Sequence, residues 1–254
     1  MTAPVIADRP RPRLLAILRY TLQSCLPPRR WAAVLAASAG ALLFGLLSHA
    51  VNAPTSDRAF ANVAAEGILG LVVPIAALVI GDAVLGAEVR SGTFLFTWLS
   101  PTPTWEIVLG RWIGGAAVGV VTIVPAAALA AVVAGASGSI GPVVVATAVE
   151  SVSYVALFIA VGCLTRRTAV WSLAIVFLVE RLLGAALTGI AQISPTWESR
   201  AVFVGLLDDP PDRLVREGIP EGGAAIVRLA VVIAVSHAVA TWRMRHMRLS
   251  GASD

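Results

Sequence analysis

The chain has 254 residues, of which 57% are hydrophobic and 13% charged, with a mean hydropathy of +0.84. A water-soluble domain carries roughly twice that charged fraction, so the composition excludes a soluble globular protein and leaves lipid as the solvent for most of the chain. The net charge of +4 and the sequence pI near 10.0 rest on arginine alone, because no lysine is present. These arginines flank apolar runs instead of forming one patch. That distribution sets membrane topology and meets anionic head groups; it does not point to nucleic acid. Cys25 and Cys163 are the only cysteines. Two isolated thiols on the side assigned below to a reducing compartment make neither a disulfide framework nor a zinc site.

Residues 1–30 are expected to be a retained cytoplasmic N-terminus, since Arg9, Arg11, Arg13, Arg19, Arg29 and Arg30 surround a broken apolar patch without a signal-peptide core. Within it, 13–26 places Leu14, Leu18, Leu22, Cys25 and Leu26 on one helical stripe and Arg13, Arg19, Gln23 and Ser24 away from it. That pattern suits an amphipathic helix lying in the interface plane, or one packed on the protein's own surface. Pro27-Pro28 end it, and Arg29-Arg30-Trp31 anchor the next segment at the head groups.

At about 20 residues per crossing, the apolar runs predict six transmembrane helices within a domain of residues 31–242. The spans fall at about 31–51, 67–87, 107–134, 143–164, 168–190 and 223–242. Span 1 carries Ala33, Ala37, Gly40 and Ala41, and span 3 carries Gly115 and Gly119, small residues that let helices approach closely. The loop 135–142 is uncharged and tight, and 191–222 is the longest external segment. In that segment Ser194-Pro195 reads as an N-cap followed by proline at the first helical position. Phe203, Val204, Leu206 and Leu207 then form an apolar face before Asp208-Asp209-Pro210-Pro211 stops the helix. Residues 243–254 form a short cytoplasmic tail.

Six crossings return both termini to one side. Arg9, Arg11, Arg13, Arg19, Arg29, Arg30, Arg90, Arg111, Arg166, Arg167, Arg243, Arg245 and Arg248 fall on that side, against Arg58, Arg200, Arg213 and Arg216 on the other. The positive-inside rule then puts both termini in the cytoplasm. The polar and aromatic connection 88–106 between spans 2 and 3 is on the same side.

That connection is the most distinctive stretch. Gly92 permits a sharp turn, and Glu88 and Arg90 are expected to face water or a partner. Phe94, Phe96, Trp98 and Leu99 offer an apolar face to the interface or to a groove on another protein. Thr102-Pro103 opens the next helix, with Trp105 and Arg111 anchoring it at head-group depth. With Glu88, Gly92, Thr93, Pro101 and Arg111 in pattern, the segment resembles the cytoplasmic connection between the second and third helices of ABC-2-type transporter permeases. Arginine stands at 111 where that family often has lysine, which keeps the charge.

The resemblance covers span count, orientation and loop lengths over nearly the whole chain, and is specific in residues only over 88–111. It implies an all-α polytopic membrane subunit, not itself an enzyme, in the bacterial plasma membrane. Such a subunit pairs with a second permease copy, identical or related, and with ABC ATPase subunits. The coupling segment would be Glu88, Arg90, Gly92, Thr93, Phe96, Trp98, Pro101 and Arg111, and the Arg166-Arg167 turn a second, smaller contact. Cofactors are expected only on the partner, as ATP and Mg. A chain without lysine holds no phosphate-loop motif. The resemblance also implies export of a hydrophobic or amphiphilic solute, such as a drug or antibiotic, peptide, lipid or glycan precursor.

Charged residues inside spans are costly in lipid, about 2.5–3.5 kcal/mol each on insertion scales, so Asp82, Glu150, Glu180, Arg181, Arg228 and His237 are the intramembrane candidates. Glu150 with Arg181, and Glu180 with Arg228, are expected to pair between helices or to line the solute path. Asp82 is expected to reach water or to pair with Arg90 or Arg111. His237 is a candidate because histidine is the side chain that changes charge near neutral pH, though a lone histidine commonly just bonds a neighbouring helix.

Two other readings are open. In a self-contained proton-coupled secondary transporter, Glu150, Glu180, Arg181 and His237 would carry protons; no convincing inverted repeat joins spans 1–3 to 4–6 in the sequence, which counts against it. More remote is a rhomboid-like intramembrane protease, suggested by the spelling Gly135-Ala-Ser137-Gly138 together with His237.

Overall fold

The computed structural model describes residues 13–25, 28–51, 57–92, 99, 101–165, 167–183, 192–216 and 222–246. Every regular element among them is helical. In chain order they are α1 (Arg13–Cys25), α2 (Pro28–Val51), α3 (Asp57–Gly86), α4 (Ala87–Ser91), α5 (Thr104–Ala134), α6 (Ile140–Leu164), α7 (Thr168–Ala174), α8 (Pro195–Gly205), α9 (Asp212–Arg216) and α10 (Gly222–Arg245). Five helices are long and apolar enough to cross a membrane: Trp31–Val51, Asp57–Gly86, Thr104–Ala134, Ser137–Leu164 and Gly222–Arg245. The protein is therefore a polytopic helical membrane protein by length and composition. Over the expected span 168–190, α7 continues as a π-helical stretch, Ile175–Leu183, and the rest lies outside the described residues.

The centre of the bundle is α3 against α6, flanked by α5. Phe60, Ile68, Leu69, Tyr154 and Phe158 are fully buried there, whereas α2 and α10 keep much of their apolar surface outward. Small residues decide how close the helices come. A Cβ on Gly45 of α2 would lie 2.4 Å from the Ala130 carbonyl oxygen of α5. One on Gly81 of α3 would lie 2.6 Å from Phe158 Cβ of α6. Gly115 faces Val84 and Val155, and Gly119 faces Ile80 and Ser151, so the small-residue pair seats α5 on α3 and α6 together. In lipid, such close packing replaces the hydrophobic drive that holds soluble cores.

Contacts sort the helix termini into two ends. At the first end Arg245 Nε donates to Thr104 Oγ1 (3.1 Å), and Gly162 lies against Gly86 and Thr168. At the second end, Asp57 accepts from the backbone N–H and hydroxyl of Ser139 (3.2 and 3.1 Å), pinning the tight loop after Gly135. Gly135 caps α5 in the left-handed conformation at φ 77°. Arg58 pairs with Asp209 at the same end.

α1 differs from the expected amphipathic pattern. Its inward face is Leu14, Ile17, Leu18, Thr21 and Cys25, laid over Gly110 and Gly114 of α5; Leu22 points outward. The reason is the pair of glycines: they open a trough into which Ile17 and Thr21 fit, and the helix rotates to use it. Leu26 lies outside the described residues.

Candidate functional site

Two clusters of polar side chains stand out, one at each end of the bundle. The first closes the root of the segment between α3 and α5. α3 ends in a π-helical stretch (Asp82–Gly86), passes into α4, and stops at Gly92, whose φ of 73° is the left-handed cap only glycine adopts without strain. One turn before that cap, Glu88 turns inward. Its carboxylate accepts from Arg111 Nη1 (2.6 Å) and Nη2 (2.9 Å), and Nη1 also donates to the Val84 carbonyl (2.7 Å). The Tyr20 ring of α1 lies under the guanidinium, with Cζ 4.8 Å from the ring centroid. Burial, and then the Glu88 carboxylate, hold the Tyr20 phenol above its usual pKa.

This corrects the expectation that Glu88 faces water or a partner: Glu88 and Arg111 are both buried. It also gives Arg111 a partner in Glu88. Burying either charge alone would be expensive, and a bidentate pair with a carbonyl and an aromatic face is how both are accommodated. The two residues that bracket the connection in sequence are thus in direct contact. Gly92, Leu99 and Pro101 are exposed, and the α5 helix starts at Thr104 after Pro103. Thr93, Phe94, Phe96 and Trp98, the side chain of Arg90, and Arg166 lie outside the described residues; Arg167 is exposed before α7.

The second cluster lies where α8 packs against the second end. Ser194 caps α8 as its sequence suggested, accepting from the Trp197 N–H (3.3 Å) with Pro195 first in the helix. Each turn of α8 is then tied to a different span. Thr196 donates to Glu150 on α6 (3.2 Å), and its hydroxyl oxygen lies 2.6 Å from that of Tyr154. Tyr154 donates to Glu180, which also accepts from Ser194 (2.8 Å). Glu198 accepts from Arg228 of α10 (3.1 Å). Arg200 donates to the Ala65 carbonyl (2.9 Å) and to Glu66 (3.0 Å) in the π-helical part of α3.

Of the two expected ion pairs, one is replaced and the other falls on a side chain outside the described residues. Arg228 binds Glu198, not Glu180, because α8 places its own carboxylate nearer to α10. Glu150 meets the Thr196 hydroxyl; its expected partner Arg181 has a side chain outside the described residues. Sequence reasoning missed Tyr154, Thr196, Ser194, Glu198, Arg200, Glu66 and Tyr20 as partners. One available signal was the tyrosine count: the chain has two, and both sit on charged groups, with Tyr154 four residues after Glu150 on the same helical face.

His237 faces the first end, its ring edge-on to Trp112 at 4.8 Å between centroids and its Nδ1 2.9 Å from the Ile233 carbonyl. Ser137 belongs to the loop at the second end, so the structure does not bring these two together. Among the described residues, no group of three or more His, Cys, Asp or Glu side chains is arranged to hold a metal ion. Compared with protein-family models and with curated proteins, the chain matches none.

Proposed function

We propose that this chain is the membrane subunit of an ATP-driven exporter of the ABC-2 type, working with a separate ATPase. One observation carries the reading. Glu88 and Arg111, the motif residues at either end of the connection, form a buried bidentate pair at 2.6 and 2.9 Å. A connection clamped at its root moves as one body with the ends of α3 and α5. A push on its exposed part at Leu99 and Pro101 then reaches the bundle instead of being absorbed by a slack loop. Six crossings with both termini cytoplasmic are part of the proposal. The Arg245 contact with Thr104 and the packing of α1 on α5, which bring α1 and the last turn of α10 to one end of the bundle, support it.

In this reading α8 is the outer closure. Its ties to α3, α6, α10 and Glu180 make it the element that must shift for a solute to leave at the second end. Purification with the ATPase partner tests the reading. Glu88→Gln should uncouple ATP hydrolysis from transport while leaving the two proteins associated. Full coupling in that variant would contradict it.

A second reading has its own observation. Glu150, Thr196, Tyr154 and Glu180 set their oxygens in an unbroken line at hydrogen-bond distance between α6, α8 and the stretch after α7, which suits proton coupling without an ATPase. Vesicles holding this chain alone would then transport under a pH gradient, and Tyr154→Phe would abolish it.

A further inference from the structure

Where α5 and α10 meet at the first end, Trp105, Leu109, His237, Trp242, Arg245 and His246 line an open groove of about 400 Å³. Trp105 and Trp242 stand on its two sides, 51% and 59% exposed. Two half-exposed tryptophans at one level are the signature of the head-group layer. The floor below them is apolar and ends at His237, eight residues before Arg245 along α10, or about 12 Å at the α-helical rise. That depth matches the distance from a lipid phosphate past the glycerol to the first acyl carbons.

The mouth is cationic. Arg245 uses only Nε, toward Thr104 Oγ1, and its terminal nitrogens meet no carboxylate among the described residues. His246 Nδ1 is held by the Trp242 carbonyl (2.7 Å) with the ring tilted on that tryptophan, so the imidazole is fixed at the rim. Glu106, beside Trp105 in sequence, does not line the groove.

We propose that this groove binds the head group and upper acyl chain of an anionic phospholipid. The phosphate sits at Arg245 and His246, and the chain runs between the tryptophans toward His237. A second copy of the protein is the poorer occupant. A neighbour with the same orientation in the membrane brings its own Arg243 and Arg245 to this level, setting cation against cation. The site is independent of any ATPase and goes beyond the exporter reading.

Quenching of tryptophan fluorescence by lipids brominated on the acyl chain tests it on the purified full chain in mixed micelles. Brominated phosphatidylglycerol should quench at about one-fifth the mole fraction that brominated phosphatidylcholine requires, the ratio one surface arginine contributes. Arg245→Gln should bring that ratio close to one, Arg245→Lys should keep it, and Arg19→Gln, a charge at the same end on α1, should leave it unchanged. Trp105→Phe with Trp242→Phe should remove the selective component, and inorganic phosphate should not compete. Equal quenching by the two lipids overturns the proposal. So does an equal loss in Arg19→Gln and Arg245→Gln, release by phosphate, or selectivity that follows dimerisation of the protein.

Discussion

The Glu88–Arg111 pair allows the sharpest stability test. Arg111 makes three hydrogen bonds, two to Glu88 and one to the Val84 carbonyl, and stacks on the half-exposed Tyr20, with Glu88 and Arg111 themselves buried. Arg111→Met leaves the Glu88 carboxylate buried without its cation, and Glu88→Leu leaves the guanidinium likewise. Removing one member of a buried pair costs about 3–5 kcal/mol, whereas replacing both by apolar side chains is often nearly neutral. The double variant Glu88→Leu/Arg111→Met should therefore be more stable than either single variant, which requires a coupling larger than the cost of one of them, above about 3–5 kcal/mol. Thermal inactivation of the purified protein in detergent, followed by size-exclusion peak height, supplies the ranking even if unfolding is irreversible. Asp209→Asn, which breaks the exposed pair with Arg58, is the internal control. Single variants that lose no more than this control, or a double variant that loses the sum of the singles, would refute the buried-clamp argument.

Other outcomes follow from particular contacts. Gly45→Ala drives a methyl group into the Ala130 carbonyl at 2.4 Å and should destabilise by about 1–3 kcal/mol through overpacking, read by the same thermal assay; an unchanged midpoint would mean α2 and α5 are less close. Ser194→Ala removes the cap of α8 and a hydrogen bond to Glu180; the cap alone is worth about 1 kcal/mol, and proteolysis or hydrogen exchange within 195–205 should accelerate. The Arg58 guanidinium holds the Asp209 carboxyl below its ordinary pKa. A depressed carboxylate contributes stability above its unfolded pKa and loses it as pH falls through the folded one. The gap between wild type and Asp209→Asn should thus persist at neutral pH and close in strong acid; a gap that widens on acidification would contradict the assignment.

Much of the architecture was readable from apolar runs and their punctuation. Five helices overlap expected spans because a stretch of about 20 lipid-compatible residues leaves few alternatives, although the second begins at Asp57, ten residues before the expected 67; Ser194-Pro195 marked the α8 cap because that pairing has a local mechanism. Tertiary placement was not readable in the same way. The α1 face is chosen by Gly110 and Gly114, nearly a hundred residues along the chain. Arg228 and Glu150 had to be satisfied by something at their depth, but only the packing of α8 shows that Glu198 and Thr196 supply it. At the first end the motif was legible as a set of residues; that Glu88 and Arg111 hold each other required the fold.

The most direct test of the coupling claim concerns Leu99, 64% exposed in the connection. In a background with Cys25→Ser and Cys163→Ser, Leu99→Cys should resist membrane-impermeant maleimide on intact cells and react in inverted vesicles. It should also crosslink to a co-purified ATPase in a manner that changes with ATP. Labelling of that cysteine from outside intact cells would contradict the account.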